Sequence, residues 1–423
     1  MNYDFKILFP NLILILVYIL MILEKLPRVV IALLGASILL ITRQITQEEA
    51  FHYIDFNVIA LLVGMMILVN ILRETGGMKW LALFTAKAVN GDGVKLMIYF
   101  SILTAFLSAL LDNVTTVLIV GSVTVALAKD LKINPVPYLV SQAVASNVGG
   151  TATLIGDPPN IMIGSAAKLT FGDFINHLAP VIILIMPFTI LTLYFMYRKE
   201  LVISKEAKDE LEKMSLKGII QYKPLLVKSL IVTACVLCGF FFHGMLHLEA
   251  GTIALTGASI LLIFENKKHI WDDVEWTTIF FFVGLFIIVG AVEKVGTIHY
   301  LSELVVKACK GSFETTSYAI LWMSAFLSAI IDNIPYTATM IPLIKEMGKY
   351  YNDLNPLWWS LALGACLGGN GTIIGASANI VVADMAAKAG KPISFLEFFK
   401  VGFIIMIQSI IICTVYIGFR YLR

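Results

Sequence analysis

Two acidic motifs stand inside otherwise apolar sequence. Leu107–Asn113 reads LSALLDN, and Leu327–Asn333, 220 residues later, reads LSAIIDN. An aspartate at the centre of a membrane helix costs about 3 kcal/mol. When its own apolar segment holds no Lys or Arg, such a carboxylate can take up a proton, bind a metal cation or cap the backbone amides of a helix N-terminus. The repeated Asp-Asn step therefore indicates a cation or proton site.

A glycine-rich motif follows each Asp-Asn step. It reads NVGGTATLIGDPPN at Asn147–Asn160 and GGNGTIIGASAN at Gly368–Asn379. Glycine allows the backbone to unwind and expose its carbonyl oxygens, and Pro158 and Pro159 suit the first turn of a new helix. We expect each motif to break one helix and to begin a half-helix. The positive end of that half-helix would face the middle of the membrane and could bind a small anion.

We interpret the four segments as one ion and substrate site that is built twice. Hard cations prefer oxygen ligands from carboxylate, amide, hydroxyl and carbonyl groups. The predicted coupling-ion ligands, for Na⁺ or H⁺, are Asp112, Asn113, Asn147, Asp332, Asn333 and Asn370. The predicted substrate contacts are Asn113, Thr115, Thr153, Asn160, Asn333, Thr337, Thr372 and Asn379. Simple N-capping is the alternative role of the two tip aspartates, and it is compatible with cation binding because a carboxylate has two oxygens.

The two copies of the site differ at one acidic position. Asp112 and Asp332 correspond to each other, but the position that matches Asp157 is occupied by Ala376. A carboxylate present on one side only would add a function that the shared residues lack. We predict that Asp157 couples transport to protons.

The composition indicates a membrane protein. Hydrophobic residues make up 59% of the 423 residues and charged residues 14%, and the mean hydropathy is +0.87; soluble domains carry about 25% charged residues. The net charge of +2 is uninformative about partners, but no run of residues resembles a nucleic-acid-binding arm, so we expect no nucleic-acid partner. No GxxxxGK[ST] loop is present, so ATP drive would need a separate ATPase subunit. We expect no enzymatic activity and no cofactor, and as partners membrane lipid, a small-molecule or ion substrate and a second copy in a homodimer.

The sequence is internally duplicated. IALLGASILLI at 31–41 recurs as IALTGASILLI at 253–263, with ten of eleven residues identical. Apolar segments near the 20 residues needed to cross a bilayer recur in the same order in each half. The sequence predicts an all-α polytopic fold with repeats at 1–197 and 224–423, joined by a charged connector at 198–223.

The Asp-Asn steps favour re-entrant hairpins, at about 94–129 and about 315–349. Two residues make a short surface loop, and no interfacial charges flank them; the alternative is two full crossings with Asp112 at the surface. Irregular backbone at mid-membrane is tolerated only when buried in protein or facing water. Five crossings and a hairpin per half would invert the second repeat, as in secondary transporters with broken helices. We place the broken helices at about 136–168 and about 356–389.

The distribution of basic residues predicts the orientation. Lys and Arg of the first half and of the connector lie mainly on the connector side, which the positive-inside rule assigns to the cytoplasm. We therefore expect a multi-pass protein of the plasma (inner) membrane with both termini outside.

The motifs LDNVTT, NVGGTATLIGDPPN, IDNIPYTATMIP and LGACLGGNGTIIGASAN resemble the P-protein branch of the ion transporter superfamily over nearly the whole chain. That branch is close to the ArsB arsenical pump and NhaD antiporter families and has a citrate-transporter-like domain. The resemblance implies inverted repeats with re-entrant hairpins, similar to sodium-coupled dicarboxylate carriers, in which Ser-Asn-Thr tips bind sodium and substrate. This chain has Asp-Asn instead, which disfavours a dicarboxylate unless cations neutralise it. By position, the two tips would be Asp112, Asn113 and Thr115, and Asp332, Asn333 and Thr337.

We therefore predict a secondary active transporter, of elevator type, for a small anion, an oxyanion or an arsenite-like solute, coupled to Na⁺ or H⁺. The alternatives are a Na⁺/H⁺ antiporter of the NhaD kind and a passive anion channel on the same scaffold.

Overall fold

The computed structural model describes residues 3–23, 25–204, 215–265 and 268–422, so residues 205–214 of the predicted connector lie outside the described residues. Within these ranges the chain is helical and contains no strand, which confirms the all-α prediction. Eight of the described helices are long and apolar enough to cross a membrane: Phe56–Glu74, Gly93–Leu110, Asn113–Asp130, Ala179–Tyr197, Lys223–Leu246, Trp276–Lys294, Phe313–Ile331 and Phe395–Tyr421.

The helices of the second half repeat the order of the first half, except that one long last helix takes the place of the last two helices of the first half. The first half contains α1 Tyr3–Ile22, α2 Arg28–Ile41, α3 Gln47–Tyr53, α4 Phe56–Glu74, α5 Gly77–Ala88, α6 Gly93–Leu110, α7 Asn113–Asp130, α8 Val136–Gly150, α9 Pro158–Ala167, α10 Phe171–His177 and α11 Ala179–Tyr197. The second half contains α12 Lys223–Leu246, α13 Ala250–Phe264, α14 Lys268–Asp272, α15 Trp276–Lys294, α16 Thr297–Ala308, α17 Phe313–Ile331, α18 Asn333–Met347, α19 Asn355–Gly368, α20 Ser377–Lys388 and α21 Phe395–Tyr421.

Two short helices, α5 and α16, start at equivalent turns. α5 follows Gly76, which has φ 77°, and α16 follows Gly296, which has φ 81°. A residue with a side chain is strained in this left-handed region, whereas glycine adopts it freely. These turns separate α5 and α16 from the apolar helices α4 and α15, so neither α5 nor α16 continues the axis of the helix before it.

Apolar helices of the two halves pack on each other reciprocally. A Cβ at Gly64 of α4 would lie 2.7 Å from the carbonyl carbon of Ala254 in α13, and one at Gly284 of α15 would lie 2.8 Å from that of Ala32 in α2. Gly64 corresponds to Gly284, and Ala32 to Ala254, in the internal repeat. Glycine at such crossings lets helix backbones approach closely. Each half therefore contacts the other half through equivalent residues.

In each half, the helix before the Asp-Asn step packs on the helix that precedes the glycine-rich break, α6 on α8 and α17 on α19. A Cβ at Gly149 would lie 2.1 Å from the carbonyl oxygen of Ala105, and one at Gly368 would lie 2.5 Å from that of Ala325. The half-helices then cross between the halves, because α9 packs on α18 and α19 while α20 packs on α7 and α8. The hairpins and broken helices thus form one interleaved unit.

Candidate functional site

Six helices begin at the wall of one cavity of about 370 Å³ between the two halves. They are the helices α2, α7, α9, α15, α18 and α20, and the first residues of each line the cavity. Leu62, Met66 and Phe281 add an apolar wall. The N-terminus of a helix carries about half a positive elementary charge and unpaired backbone N–H groups. The cavity therefore receives the positive ends of six helices, which favours bound negative charge.

At the first hairpin tip, Asp112 caps α7. Its Oδ1 accepts a hydrogen bond from the backbone N–H of Thr115 at 2.8 Å, and Leu111 before it is extended. Asn113, which follows, is buried and contacts the hydroxyl of Ser108. Asp112 and Asn113 both line the cavity. N-capping is thus a real role of Asp112, and the cap engages one of its two oxygens.

At the second tip, Asp332 has a partner that the sequence analysis did not find. Its Oδ1 accepts from the backbone N–H of Ile334 at 3.0 Å, and its Oδ2 forms an ion pair with Arg28 of α2. Asp332 thus has a basic partner from outside its own apolar segment, because the guanidinium comes from 304 residues earlier in the chain. The available signal was a difference between the repeats: the position matching Arg28 is occupied by Ala250.

Asp157 connects the first half to the second tip. It precedes α9 without capping it, and its Oδ1 and Oδ2 accept from the Asn333 Nδ2 at 3.1 and 3.2 Å. The side chain is buried at 1% exposure, and both Asp157 and Asn333 line the cavity. The acidic residue that the second half lacks thus contacts the Asp-Asn step of the second half.

Thr153 and Thr372 hold the unwound loops against the hairpins. The hydroxyl of Thr153 donates to the carbonyl of Ala109 at 2.5 Å and accepts from the backbone N–H of Gly156 at 3.2 Å. Thr372 makes the equivalent two bonds in the second half, at 2.5 and 3.1 Å. Both side chains are committed to backbone groups behind the cavity.

We expect Thr153→Val and Thr372→Val to lower the thermal unfolding midpoint, because each leaves a buried carbonyl and a buried N–H without a partner, at about 1–3 kcal/mol per group. The midpoint in detergent, followed by intrinsic fluorescence, measures this loss. Thr256→Val is the matched control, since its hydroxyl donates to its own helix at an exposed position. Unchanged midpoints in both loop variants would contradict the bracing role.

Amide side chains join the halves behind the cavity. The Asn147 Nδ2 donates to the Oδ1 atoms of Asn370 and Asn379 at 2.9 and 3.0 Å. In the reciprocal contact, the Sγ of Cys366, which aligns with Asn147, donates to the Oδ1 of Asn160 at 3.5 Å. The Nδ2 atoms of Asn160 and Asn379 each donate to two backbone carbonyls of their own loops. These residues fix the loops from which the half-helices start.

The structure separates the predicted site residues into two groups. Those that line the cavity are Asp112, Asn113, Asp157 and Asn333. Those that lie outside the lining are Thr115, Asn147, Thr153, Asn160, Asp332, Thr337, Asn370, Thr372 and Asn379. Five polar lining residues were not among the predicted site residues: Arg28, Glu275, Thr277, Thr278 and Ser377. Glu275 accepts a hydrogen bond from the hydroxyl of Thr278 at 3.0 Å. Its position in the sequence could have indicated it, because it stands just before an apolar span, where the first half has Asp55.

A multi-pass helical bundle whose broken helices start at a shared cavity is an architecture that secondary transporters use. The chain belongs to the CitMHS family, described as citrate transporter, with the match covering residues 18–364. It is 40% identical over 416 residues to an uncharacterized transporter of Mycobacterium tuberculosis, covering 96% of each chain. It is 37% identical over 417 residues to a 46 kDa membrane protein of Mycobacterium leprae, covering 96% of this chain and 97% of that one.

The resemblance to the P-protein branch is confirmed. The chain is 34% identical over 493 residues to the P protein of Mus musculus, covering 96% of this chain and 59% of the mouse protein. The chain is therefore an integral, multi-pass membrane protein of a transporter family.

Proposed function

We propose that the protein is a secondary active transporter that carries a small anion or oxyanion and is driven by a Na⁺ or H⁺ gradient. The observation that carries this proposal is the convergence of six helix N-termini on one cavity that also receives carboxylates. Backbone N–H groups at helix N-termini bind anions directly and need no cofactor to do so. An arsenite-like neutral solute would make less use of the same donors.

The carboxylates explain why the anion would need a coupling ion. Asp112, Asp157 and Glu275 line the cavity, and Asp332 lies beside it with Arg28. These negative charges oppose the helix termini, so an anion enters favourably only after cations or protons neutralise the carboxylates. Binding of the anion then depends on binding of the cation, which is the thermodynamic basis of symport.

The oxygens beside each tip supply the proposed cation sites. Asp112 and Asn113 would serve the first site, and Asp332 and Asn333 the second, with Asn147 and Asn370 orienting the loops behind them. Asp157, hydrogen-bonded to Asn333, is the proposed proton-coupling group. The predicted substrate threonines and the paired Asn160 and Asn379 would act by holding the half-helices in place.

The interleaved unit of hairpins and broken helices is the proposed moving part. A second group of helices would form the scaffold, in which α2 packs on α15 and α4 packs on α13. This arrangement is consistent with an elevator, in which one unit slides past a scaffold. We propose re-entrant hairpins, inverted repeats, a cytoplasmic connector, external termini and a homodimer in the plasma membrane. Alternating access in inverted repeats arises by motion of one unit around a fixed midplane site.

Exchange of Na⁺ for H⁺ is the second candidate function. The observation that favours it is the burial of Asp157 at the site, since a carboxylate in the membrane interior is typical of proton pathways. The two functions differ in whether an anion moves with the cation.

Flux into proteoliposomes tests both candidates. Purified protein would be reconstituted and given citrate, phosphate, arsenite or chloride as separate probes, under imposed Na⁺ or H⁺ gradients. We expect saturable anion uptake that depends on one gradient, and an at least tenfold rise of the cation concentration for half-maximal flux in Asp112→Asn and Asp332→Asn. A hydrogen bond to a charged group contributes about 1.5–3 kcal/mol, which corresponds to about tenfold or more in affinity.

Asp130→Asn is the control, because Asp130 is exposed at the other end of the helix that Asp112 begins. Cation exchange with no anion movement would support the antiporter. Anion conductance that neither saturates nor depends on Na⁺ or pH would support a passive channel. Unchanged ion dependence in both aspartate variants would refute the proposed cation sites.

A further inference from the structure

One ion pair connects the second hairpin tip to the N-terminus of α2. Arg28, the first residue of α2, pairs with Asp332, whose side chain is 2% exposed while that of Arg28 is 24% exposed. The same hairpin helix is bound by α1, because the hydroxyl of Tyr18 donates to the carbonyl of Pro335 at 2.7 Å and contacts Thr339. The second tip is therefore attached to α1 and α2 at successive turns.

The backbone at this tip is in a conformation that its residue type disfavours. Asp332 has φ 87° and ψ 143°, whereas the equivalent Asp112 has φ −72° and ψ 155°. A non-glycine residue in this region costs about 1–3 kcal/mol and persists only when its surroundings hold it. The two aspartates are equivalent in sequence, so the difference comes from what surrounds them.

The residue that holds Asp332 has no equivalent in the other repeat. Ala250 occupies the position that matches Arg28, and the start of α15 brings an acidic residue, Glu275, to the cavity that Asp112 lines. If the two repeats exchanged conformations, the first tip would meet Ala250 instead of an arginine. No ion pair would then form at the first tip. The pair between Arg28 and Asp332 is available to one end state only.

We propose that Arg28 is an internal counter-cation of Asp332, which holds the second tip in the present state and competes with the coupling cation for that carboxylate. This inference rests on the proposed function, in which Asp332 receives the coupling ion. Cation binding at Asp332 would displace Arg28, and the second tip could then leave its disfavoured backbone conformation. Arg28 thereby acts as a positioning residue that sets both the affinity for the cation and the balance between the two end states.

Two readouts test the role of Arg28. The first is the Na⁺ concentration that half-maximally raises the thermal unfolding midpoint, at constant ionic strength with choline chloride as the replacement salt, since a ligand that binds only the folded state stabilises it. We expect Arg28→Gln to lower this concentration about tenfold and Arg28→Lys to retain the wild-type value. Lys294→Gln is the control, because Lys294 forms an exposed ion pair with Glu49 at the last turn of α15, the helix whose first residues line the cavity.

The second readout does not depend on the coupling ion. Ile334 lines the cavity directly after the tip, so a cysteine there reports release of the tip to a membrane-impermeant maleimide. The background would carry Cys235→Ser and Cys238→Ser, because these two native thiols are exposed. We expect Arg28→Gln and Asp332→Asn each to raise the labelling rate about tenfold, and the double variant to add nothing further, since both changes remove the same pair.

Equal labelling in wild type and both single variants would overturn the proposal, and so would a double variant whose effects simply add. If the wild type shows no gradient-driven flux, the proposed function fails while the labelling experiment still decides whether Arg28 holds the tip. If flux is coupled but Arg28→Gln leaves Na⁺ affinity and labelling unchanged, the failure belongs to Arg28 alone.

Discussion

Asp157→Asn is expected to abolish the proton-dependent component of transport while the protein remains folded. The asparagine has the same shape and keeps one acceptor for the Nδ2 of Asn333, which now donates to both carboxylate oxygens. It cannot bind or release a proton at any physiological pH.

The measurement is uptake into proteoliposomes with an imposed pH gradient, compared with uptake under a Na⁺ gradient. Asp384→Asn is the control, since Asp384 lies on α20, the counterpart of α9, and is 56% exposed. A retained response to the pH gradient in Asp157→Asn would exclude Asp157 as the coupling group. A response lost in both variants would point to a general effect of removing charge.

Gly149→Ala and Gly368→Ala are expected to cause large losses of folded protein. The added methyl at Gly149 would lie 2.1 Å from the carbonyl oxygen of Ala105, and that at Gly368 2.5 Å from the carbonyl oxygen of Ala325. These are backbone atoms, so no side-chain rotation relieves the clash, and the hairpin helix must move away from the broken helix. Overpacking of this kind costs about 1–3 kcal/mol or more.

The yield of monodisperse protein in size-exclusion chromatography and the thermal unfolding midpoint measure this effect. Gly244→Ala is the matched control in another membrane helix, because the nearest atom to an added methyl there is 3.6 Å away. Wild-type midpoints in both variants would show that α6 and α17 do not pack on the broken helices as closely as the structure has them.

The sequence predicted the helices well because their ends depend on local chemistry. Asp112 ends one apolar run and caps the next helix, and Pro158 and Pro159 start α9 because proline suits the first turn. The duplicated segment at 31–41 and 253–263 required two similar halves. The residues of the four motifs were expected to meet, and four of them line one cavity with the starts of six helices.

The tertiary structure decided which of these residues face the cavity and which support it. Asn160 and Asn379 carry side chains typical of ligand binding, yet their Nδ2 atoms donate to backbone carbonyls of the unwound loops. A loop without helical bonds must satisfy its buried carbonyls in another way. The motif pattern could not separate that demand from substrate binding, because both use the same amide groups.

The sequence alone determined that this is an α-helical membrane protein built from two similar halves, with an Asp-Asn step and a helix break in each. Those features follow from hydrophobicity, helix capping and glycine or proline geometry, which act over a few residues. Only the tertiary structure decided that Arg28 pairs with Asp332, that Asp157 accepts from Asn333, and that six helix N-termini share one cavity. Such contacts join residues far apart in the chain, and packing of whole helices, not local pattern, brings them together.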